Sequence, residues 1–98
     1  MLNGKQKRYL RSLANKLPAS FQIGKDGLSD NLLEGVLEAL IANELVKISI
    51  LKTCSVPLNE IEIEICAYCG CELVQEIGKT ILLYKRSKDN KIILPWVR

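Results

Sequence analysis

The chain has 98 residues and a net charge of +3, with 48% hydrophobic and 26% charged residues. These values indicate one globular domain with a modest core, and they exclude a disordered chain or two separate domains. No run of about 18 uncharged apolar residues occurs and the N-terminus lacks the apolar stretch of a secretory signal, so we expect a cytoplasmic protein without a membrane segment.

Basic and acidic residues are segregated along the chain. Residues 1–16 carry five basic residues and no acid, and residues 77–98 carry six basic residues against one aspartate. Residues 29–45 hold four acids and residues 59–76 hold five, in both cases without a base. This pattern predicts a two-faced particle with one face suited to a polyanion, although charge runs on solvated faces without a partner are the alternative.

The first predicted element is an α-helix from Asn3, its cap, to about Lys16, and Pro18 ends it. Its apolar residues recur at helical spacing and define one buried face (Leu10, Leu13, Ala14 and Leu17). Arg8 and Arg11 lie roughly opposite that face on a helical wheel, so the helix is expected to turn basic side chains outward.

A strand, a turn, a helix and a second strand are predicted next. The strand covers residues 21–23 and stops at the turn GKDG. Ser29 or Asp30 is then a good cap for a helix whose apolar residues recur at helical spacing to about residue 43. Alternating apolar and polar residues predict the following strand over residues 45–51.

Residues 57–69 fit two structures. Isoleucines that alternate with glutamates favour a strand by local propensity. A helix fits as well, because Pro57 suits a first helical turn and four apolar residues keep helical spacing (Leu58, Ile61, Ile65 and Cys69). The predicted strands 73–77 and 81–84, joined through Gly78 and Lys79, follow this segment, and residues 87–98 form a tail.

The turn GKDG, residues 24–27, is a candidate phosphate site. Glycines let a backbone approach a phosphate closely, Lys25 adds a cation, and the helix start behind the turn favours an anion. A GXXG loop clamps nucleic-acid backbone in this way. The alternative is an ordinary strand-to-helix turn that needs glycine for its geometry.

Other chemistries have little support in the sequence. The chain has no histidine, which removes the usual general base and the commonest metal ligand. IGKT at residues 77–80 lacks the earlier glycine of a phosphate-binding P-loop, since Leu73 stands there. Glu62 and Glu64 have no positioned partner and are interpreted as solvated. We therefore predict a protein that is not an enzyme.

The four cysteines do not form a recognisable metal or redox motif. Cys66, Cys69 and Cys71 form C-x-x-C-x-C, and Cys54 is the remaining thiol that could complete a zinc site. Buried structural thiols are the commoner case, with a thiol or metal protein as an alternative. We predict no cofactor and no metal. Aromatic residues are scarce, so any RNA recognition would depend on the backbone.

Four blocks of the chain together resemble a known family. GKQKRYLRSLANKL, QIGKDGL, EALIANELVKISIL and LVQEIGKTILLYKR occur in the order and spacing of the YhbY family. These are small bacterial proteins made of a single CRM domain (chloroplast RNA splicing and ribosome maturation). The resemblance covers about residues 2–95.

This resemblance implies an α/β fold in which three helices pack on a four-stranded mixed sheet. The implied order is α-β-α-β-α-β-β, similar to the C-terminal domain of bacterial initiation factor three. It implies that residues 1–98 are a single RNA-binding domain, with 87–98 as its C-terminal tail. It also favours a helix over residues 57–69, against local propensity.

The family further implies binding to ribosomal RNA and to precursors of the large ribosomal subunit. We expect the protein to act as a cytoplasmic monomer. Ten residues are the expected RNA contacts: Gly24, Lys25, Asp26 and Gly27 in the GXXG loop, Lys5, Arg8 and Arg11 in the first helix, and Lys79, Lys85 and Arg86 near the end. The two basic segments are expected to converge on one face with Gly24. An adaptor whose basic face meets an acidic protein is the alternative function.

Overall fold

The computed structural model describes residues 2, 4–17, 19–25 and 27–86. Its elements are α1 (Gly4–Ala14), β1 (Phe21–Ile23), α2 (Asp30–Asn43), β2 (Leu45–Ile50), α3 (Leu58–Cys69), β3 (Glu72–Ile77) and β4 (Thr80–Tyr84). In this part of the chain the strands form one sheet in the order β1-β2-β4-β3. β1 is parallel to β2, and the other two pairs are antiparallel. The predicted α/β class, with three helices and a four-stranded mixed sheet, is confirmed.

The helices cover the two faces of the sheet unequally. α2 and α3 pack on one face, which we call the α2/α3 face; its core includes Val36, Leu40, Ile48, Ile61, Ile65, Ile81 and Leu83. Among the described residues, α1 is the one helix on the other face, the α1 face, where its side chains meet β2, β3 and β4 (Leu10, Ala14, Leu45, Val74, Leu82 and Tyr84). One eleven-residue helix is too short to cover four strands, so the described residues leave part of the α1 face open.

The start of α2 agrees with the sequence, whereas Pro57, predicted in the first turn of a helix, precedes α3 as its N-cap. Ser29 is the N-cap of α2, and its hydroxyl accepts a hydrogen bond from the Leu32 amide at 3.1 Å. The predicted cap of α1, Asn3, and its predicted stop, Pro18, lie outside the described residues, as does the tail from residue 87.

Residues 58–69 are a helix, which was the structure implied by the family and not by local propensity. Ile61, Ile65 and Cys69 are spaced four residues apart and are all buried. Ile63 lies between the first two and is 67% exposed, whereas a strand would place it on the same face as its neighbours. The helix therefore forms because it buries this stripe against the sheet, which outweighs the β-propensity of isoleucine.

The prediction that Glu62 and Glu64 are both solvated is wrong for Glu62. Glu64 is exposed, as expected for a solvated side chain, but Glu62 is only 8% exposed. Burial raises the pKa of Glu62 to about 7, and the Glu76 carboxyl on β3 adds to this through a hydrogen bond and its charge. Its Oε2 atom has no hydrogen-bond partner among the described residues. Glu62 is buried because it lies on the side of α3 that faces the sheet. The alternating sequence pattern of residues 61–65 does not indicate this burial.

The strands give the sheet two ends. The C-terminal ends of β1 and β2 lie side by side at one end of the sheet. The turn at Gly78 and Lys79 lies at the same end, because the Ile50 amide donates a hydrogen bond to the Lys79 carbonyl at 2.6 Å. We call this the loop end. At the far end, the Lys85 amide donates to the Glu44 carbonyl at 2.9 Å. The two ends are about 17–20 Å apart, which is the length of a six-residue strand such as β2.

No helix in the described residues is long and apolar enough to span a lipid bilayer.

Candidate nucleic-acid interface

The GKDG turn is a tight turn with defined roles for its glycines. The Gly27 amide donates to the Gly24 carbonyl at 2.9 Å, and Gly27 has a φ of 66°. A Cβ atom on Gly27 would lie 3.2 Å from Val56 Cγ2, and one on Gly24 would lie 3.3 Å from Leu51 Cδ1. The left-handed backbone at position 27 therefore favours glycine, Gly24 packs closely against Leu51, and the Gly27 amide already has its partner.

Among the described residues of this turn, Lys25 presents its side chain to solvent. It is exposed at the tip, while Gly24 is half-buried and Gly27 is buried. Asp26, the other predicted contact in the turn, lies outside the described residues. The positive charge of the turn is thus carried by one lysine on a tightly packed base.

The start of α2 contributes less to an anion site than the sequence suggested. Its Leu32 amide is bound to the Ser29 hydroxyl, and Asp30 places a carboxylate in the first turn. Amides that are already capped and a nearby negative charge both reduce the attraction of a helix start for phosphate. The attraction at the loop end must then come mainly from lysine side chains.

Three exposed lysines from separate segments lie at the loop end. Lys25 and Lys79 were predicted from the sequence, and Lys52 was missed. Lys52 lies in the turn that the Cys54 amide closes onto the Leu51 carbonyl, and Thr53 Oγ1 is 3.4 Å from the position of a Gly24 Cβ. Parallel strands end at the same edge of a sheet, so the residues that follow β2 belong beside the turn that follows β1. That rule would have identified Lys52.

The basic residues of α1 lie on the side of the sheet opposite α2 and α3. Leu10 and Ala14 are buried and Arg8 is exposed, as predicted, while Lys5 is exposed and Arg11 is half-buried. Leu17, which was predicted on the buried face, follows the end of α1 and is 38% exposed. At the N-terminal side of α1, the Leu2 amide donates to the Glu72 carboxylate at 3.1 Å. Glu72 pairs with Tyr84 at the far end, so α1 runs from the far end towards the loop end. Arg11 is therefore nearer the loop end than Lys5 is.

Lys85 and Arg86 lie at the far end. The Lys85 Nζ atom is 3.2 Å from the position of a Cβ on Gly70, the residue that ends α3. A cation at that place is stabilised by the helix dipole, which gives Lys85 a structural role. The expectation that both basic segments converge beside Gly24 thus holds for Lys79 and is wrong for Lys85 and Arg86.

The cysteines lie away from the loop-end lysines, apart from Cys54 at the base of the neighbouring turn. Cys66 Sγ and Cys71 Sγ are 3.8 Å apart, and Cys69 Sγ lies 3.9 Å from the Leu33 carbonyl oxygen. Burial raises the pKa of the Cys66, Cys69 and Cys71 thiols. A raised pKa leaves less reactive thiolate. No group of three metal-ligating side chains occurs in the described residues.

Comparison with known protein families identifies the family of this chain. The family model of the CRS1 / YhbY (CRM) domain matches residues 2–85. The chain belongs to the CRS1 / YhbY (CRM) domain family. The YhbY resemblance of the four sequence blocks is thereby confirmed, and the matched range includes every helix and strand described above.

Relatives of this CRM domain match along most of their length. A Bacillus subtilis protein named "Probable RNA-binding protein YqeI" is 48% identical over 93 residues, which are 95% of this chain and 97% of that protein. A Haemophilus influenzae protein named "RNA-binding protein" is 34% identical over 98 residues, with 96% and 95% covered. The solution structure of a hypothetical protein from Staphylococcus aureus has a TM-score of 0.79 at 43% identity, covering 97% of this chain and all of that one.

Proposed function

We propose that this CRM-domain protein binds ribosomal RNA through the loop end and the outward side of α1, and that it assists assembly of the large ribosomal subunit. One observation carries the proposal: Lys25, Lys52 and Lys79 come from three separate turns and are all exposed at one end of the sheet. The names of the Bacillus and Haemophilus relatives support RNA as the partner.

The charge distribution supports one orientation on the RNA. Acidic side chains are exposed on α2 and α3 (Glu34, Glu38, Glu60 and Glu64), on the opposite side of the sheet from α1. RNA phosphates attract the lysines of the loop end together with Arg8 and Arg11. The same phosphates repel the exposed acidic side chains of α2 and α3. The protein therefore approaches RNA with α1 and the loop end, and the acidic face stays in solvent.

The lysine side chains of the loop end are proposed to contact mainly RNA phosphates, and the turns hold these lysines in place. Such contacts release counterions and are independent of base identity, so binding weakens as salt is raised. Lys85 and Arg86 would add to the general positive field only. We further propose that the protein acts as a cytoplasmic monomer on precursor particles and that it catalyses no reaction. Large-subunit precursors as the partner follow from the YhbY resemblance.

Co-sedimentation with ribosomal particles tests this proposal. Wild type and a Lys25→Ala/Lys52→Ala/Lys79→Ala variant are compared in lysate on sucrose gradients at low magnesium, after circular dichroism has confirmed folding. We expect wild type to sediment with large-subunit precursors and the variant to stay near the top. Wild type that stays at the top would contradict the ribosomal role, and equal sedimentation of both proteins would contradict the loop end as the contact.

With purified rRNA, three lost phosphate contacts should reduce the slope of log K against log salt by about 3. At about 0.15 M salt, this slope change corresponds to affinity on the order of 100-fold weaker. If the variant keeps the wild-type slope on purified rRNA, these lysines are not phosphate contacts.

A further inference from the structure

Within the described part of the chain, a groove lies on the part of the α1 face that α1 does not cover. Its volume is about 200 Å³, and it is lined by Asn15, Lys47, Gln75, Ile77, Thr80 and Leu82, beside Ala14 at the end of α1. The groove lies close to the loop end, because Thr80 directly follows Lys79 and pairs with Ile77. It therefore adjoins the lysines of the proposed RNA contact without containing any of them.

An irregularity in β3 shapes one wall of the groove. Leu73 pairs with Leu83 and Gln75 pairs with Leu82, so the register shifts by one residue at Val74. Val74 packs under α1, and Gln75 lines the groove on the same face. A regular strand would have turned Gln75 to the α2/α3 face. Bulges of this kind redirect a side chain, and they are common next to functional sites.

The lining suits a flat ring with a polar edge. Ile77 is 62% exposed although it lies on a sheet face, and Leu82 adds an apolar floor. Around them, the side-chain amides of Asn15 and Gln75 each offer a donor and an acceptor, and the Thr80 hydroxyl offers both in one atom. A nucleobase combines an apolar face with donors and acceptors along its edge.

Lys47 is the one cation among the described residues that line the groove. Lys47 Nζ donates to the Leu17 carbonyl at 3.3 Å, which holds the ammonium group against the segment that follows α1. One cation that is already bonded does not make a phosphate pocket, whereas two amides and a hydroxyl beside apolar side chains favour an uncharged ring. The lining thus selects a base and leaves the phosphates to the loop end.

We propose that this groove binds one unstacked nucleobase of single-stranded RNA whose phosphates lie on the loop-end lysines. The inference depends on the proposed function, since it names the part of the RNA that this second site receives. Neighbouring strands are about 4.8 Å apart, so β4 and β1 are separated by about 10 Å across β2. A nucleotide in the groove therefore keeps its phosphate near Lys79, and the strand continues towards Lys25.

Binding of a short RNA with and without one base tests the groove. The probe is an oligouridine of about eight nucleotides, a length within the usual range for single-strand sites, and a second probe lacks the central base. The proteins are wild type, a Gln75→Ala/Ile77→Ala variant and a matched Asn59→Ala/Ile63→Ala variant on the exposed side of α3. Affinity is measured at several salt concentrations.

We expect removal of the base to weaken wild-type binding about 5-fold, the loss for a partly buried apolar contact and one hydrogen bond. The groove variant should bind the intact probe about 5-fold more weakly, be insensitive to the missing base and keep the wild-type salt slope. The α3 variant should match wild type. Equal binding of the intact probe by the groove variant and wild type would overturn the inference, as would equal competition by duplex RNA of the same length.

A photocrosslink gives a reading that needs no groove variant. A central 4-thiouridine in the probe should crosslink wild-type protein within residues 72–82 or at Asn15 or Lys47, which also line the groove. Crosslinks confined to other residues would overturn the inference. Loss of binding in Lys25→Ala/Lys79→Ala with an unaffected groove variant would leave the proposed function standing and remove the base site alone. Wild type that binds neither the probe nor rRNA would remove both.

Discussion

The loop end and the far end of the sheet use the same residue type for different purposes. At the loop end, Lys25, Lys52 and Lys79 are exposed on tight turns. At the far end, Lys85 is half-buried and places its ammonium group over the end of α3. Lys79 and Lys85 belong to one block, GKTILLYKR, yet the five residues of β4 carry them to opposite ends. Two lysines of one sequence block therefore need not contribute to the same binding surface.

The first prediction separates stability from binding through the buried acid on α3. The pKa of Glu62 is raised from 4.5 to about 7, so the folded state holds a proton that the unfolded chain releases. Stability from this group is full below pH 4.5, falls as the pH rises to 7 and is then lost. Glu62→Gln should leave stability unchanged near pH 4.5 and raise the free energy of unfolding at pH 8 by up to about 3 kcal/mol.

Urea unfolding at both pH values measures this difference, with Glu64→Gln on the exposed side of α3 as the control. RNA affinity should not change with Glu62→Gln, because the α2/α3 face stays away from RNA. A variant that is equally stabilised at both pH values, or destabilised at pH 8, would show that Glu62 carries no buried proton.

The second prediction concerns the shape of the loop end. Gly27 has a φ of 66° and would crowd Val56, whereas Gly78 has a φ of 56° and open space around it. Gly78→Ala should cost about 1 kcal/mol of unfolding free energy from backbone strain, and Gly27→Ala should cost about 2 kcal/mol because crowding is added. Thermal unfolding of both variants measures the difference. Equal costs would mean that the packing around Gly27 relaxes freely.

The third prediction concerns the structural role of the far end. Removing the cation over the end of α3 by Lys85→Ala should lower the free energy of unfolding by about 0.5 kcal/mol, with a smaller effect in high salt. Lys79→Ala is the control, since Lys79 is exposed at the other end and should change stability little. A Lys85→Ala variant with unchanged stability and much weaker RNA binding would reverse the roles of the two ends.

Much of the fold could be predicted from local pattern, because each helix and strand buries one regular stripe. The strand Phe21–Ile23 and the helix Asp30–Asn43 have the predicted bounds. The helix at residues 58–69 could not be settled locally, since isoleucine favours strands and only packing against the sheet decides. The family resemblance supplied that information.

The site was less predictable because it combines segments that are distant in sequence. Lys52 has no motif of its own and joins the loop end only because β1 and β2 are parallel. Gln75 reaches the groove only because β3 is irregular at Val74. The burial of Glu62 depended on the helix that contains it. Each miss reflects a tertiary contact or register that composition and spacing do not encode.

The most direct test of the account compares two double variants, each of which removes two positive charges. Lys25→Ala/Lys79→Ala removes cations from the loop end, and Lys85→Ala/Arg86→Ala removes them from the far end. Binding to purified large-subunit rRNA is measured over a salt series. The account predicts that the loop-end pair lowers the salt slope by about 2 while the far-end pair leaves it nearly unchanged. Equal slopes for the two pairs, or a larger loss for the far-end pair, would contradict it.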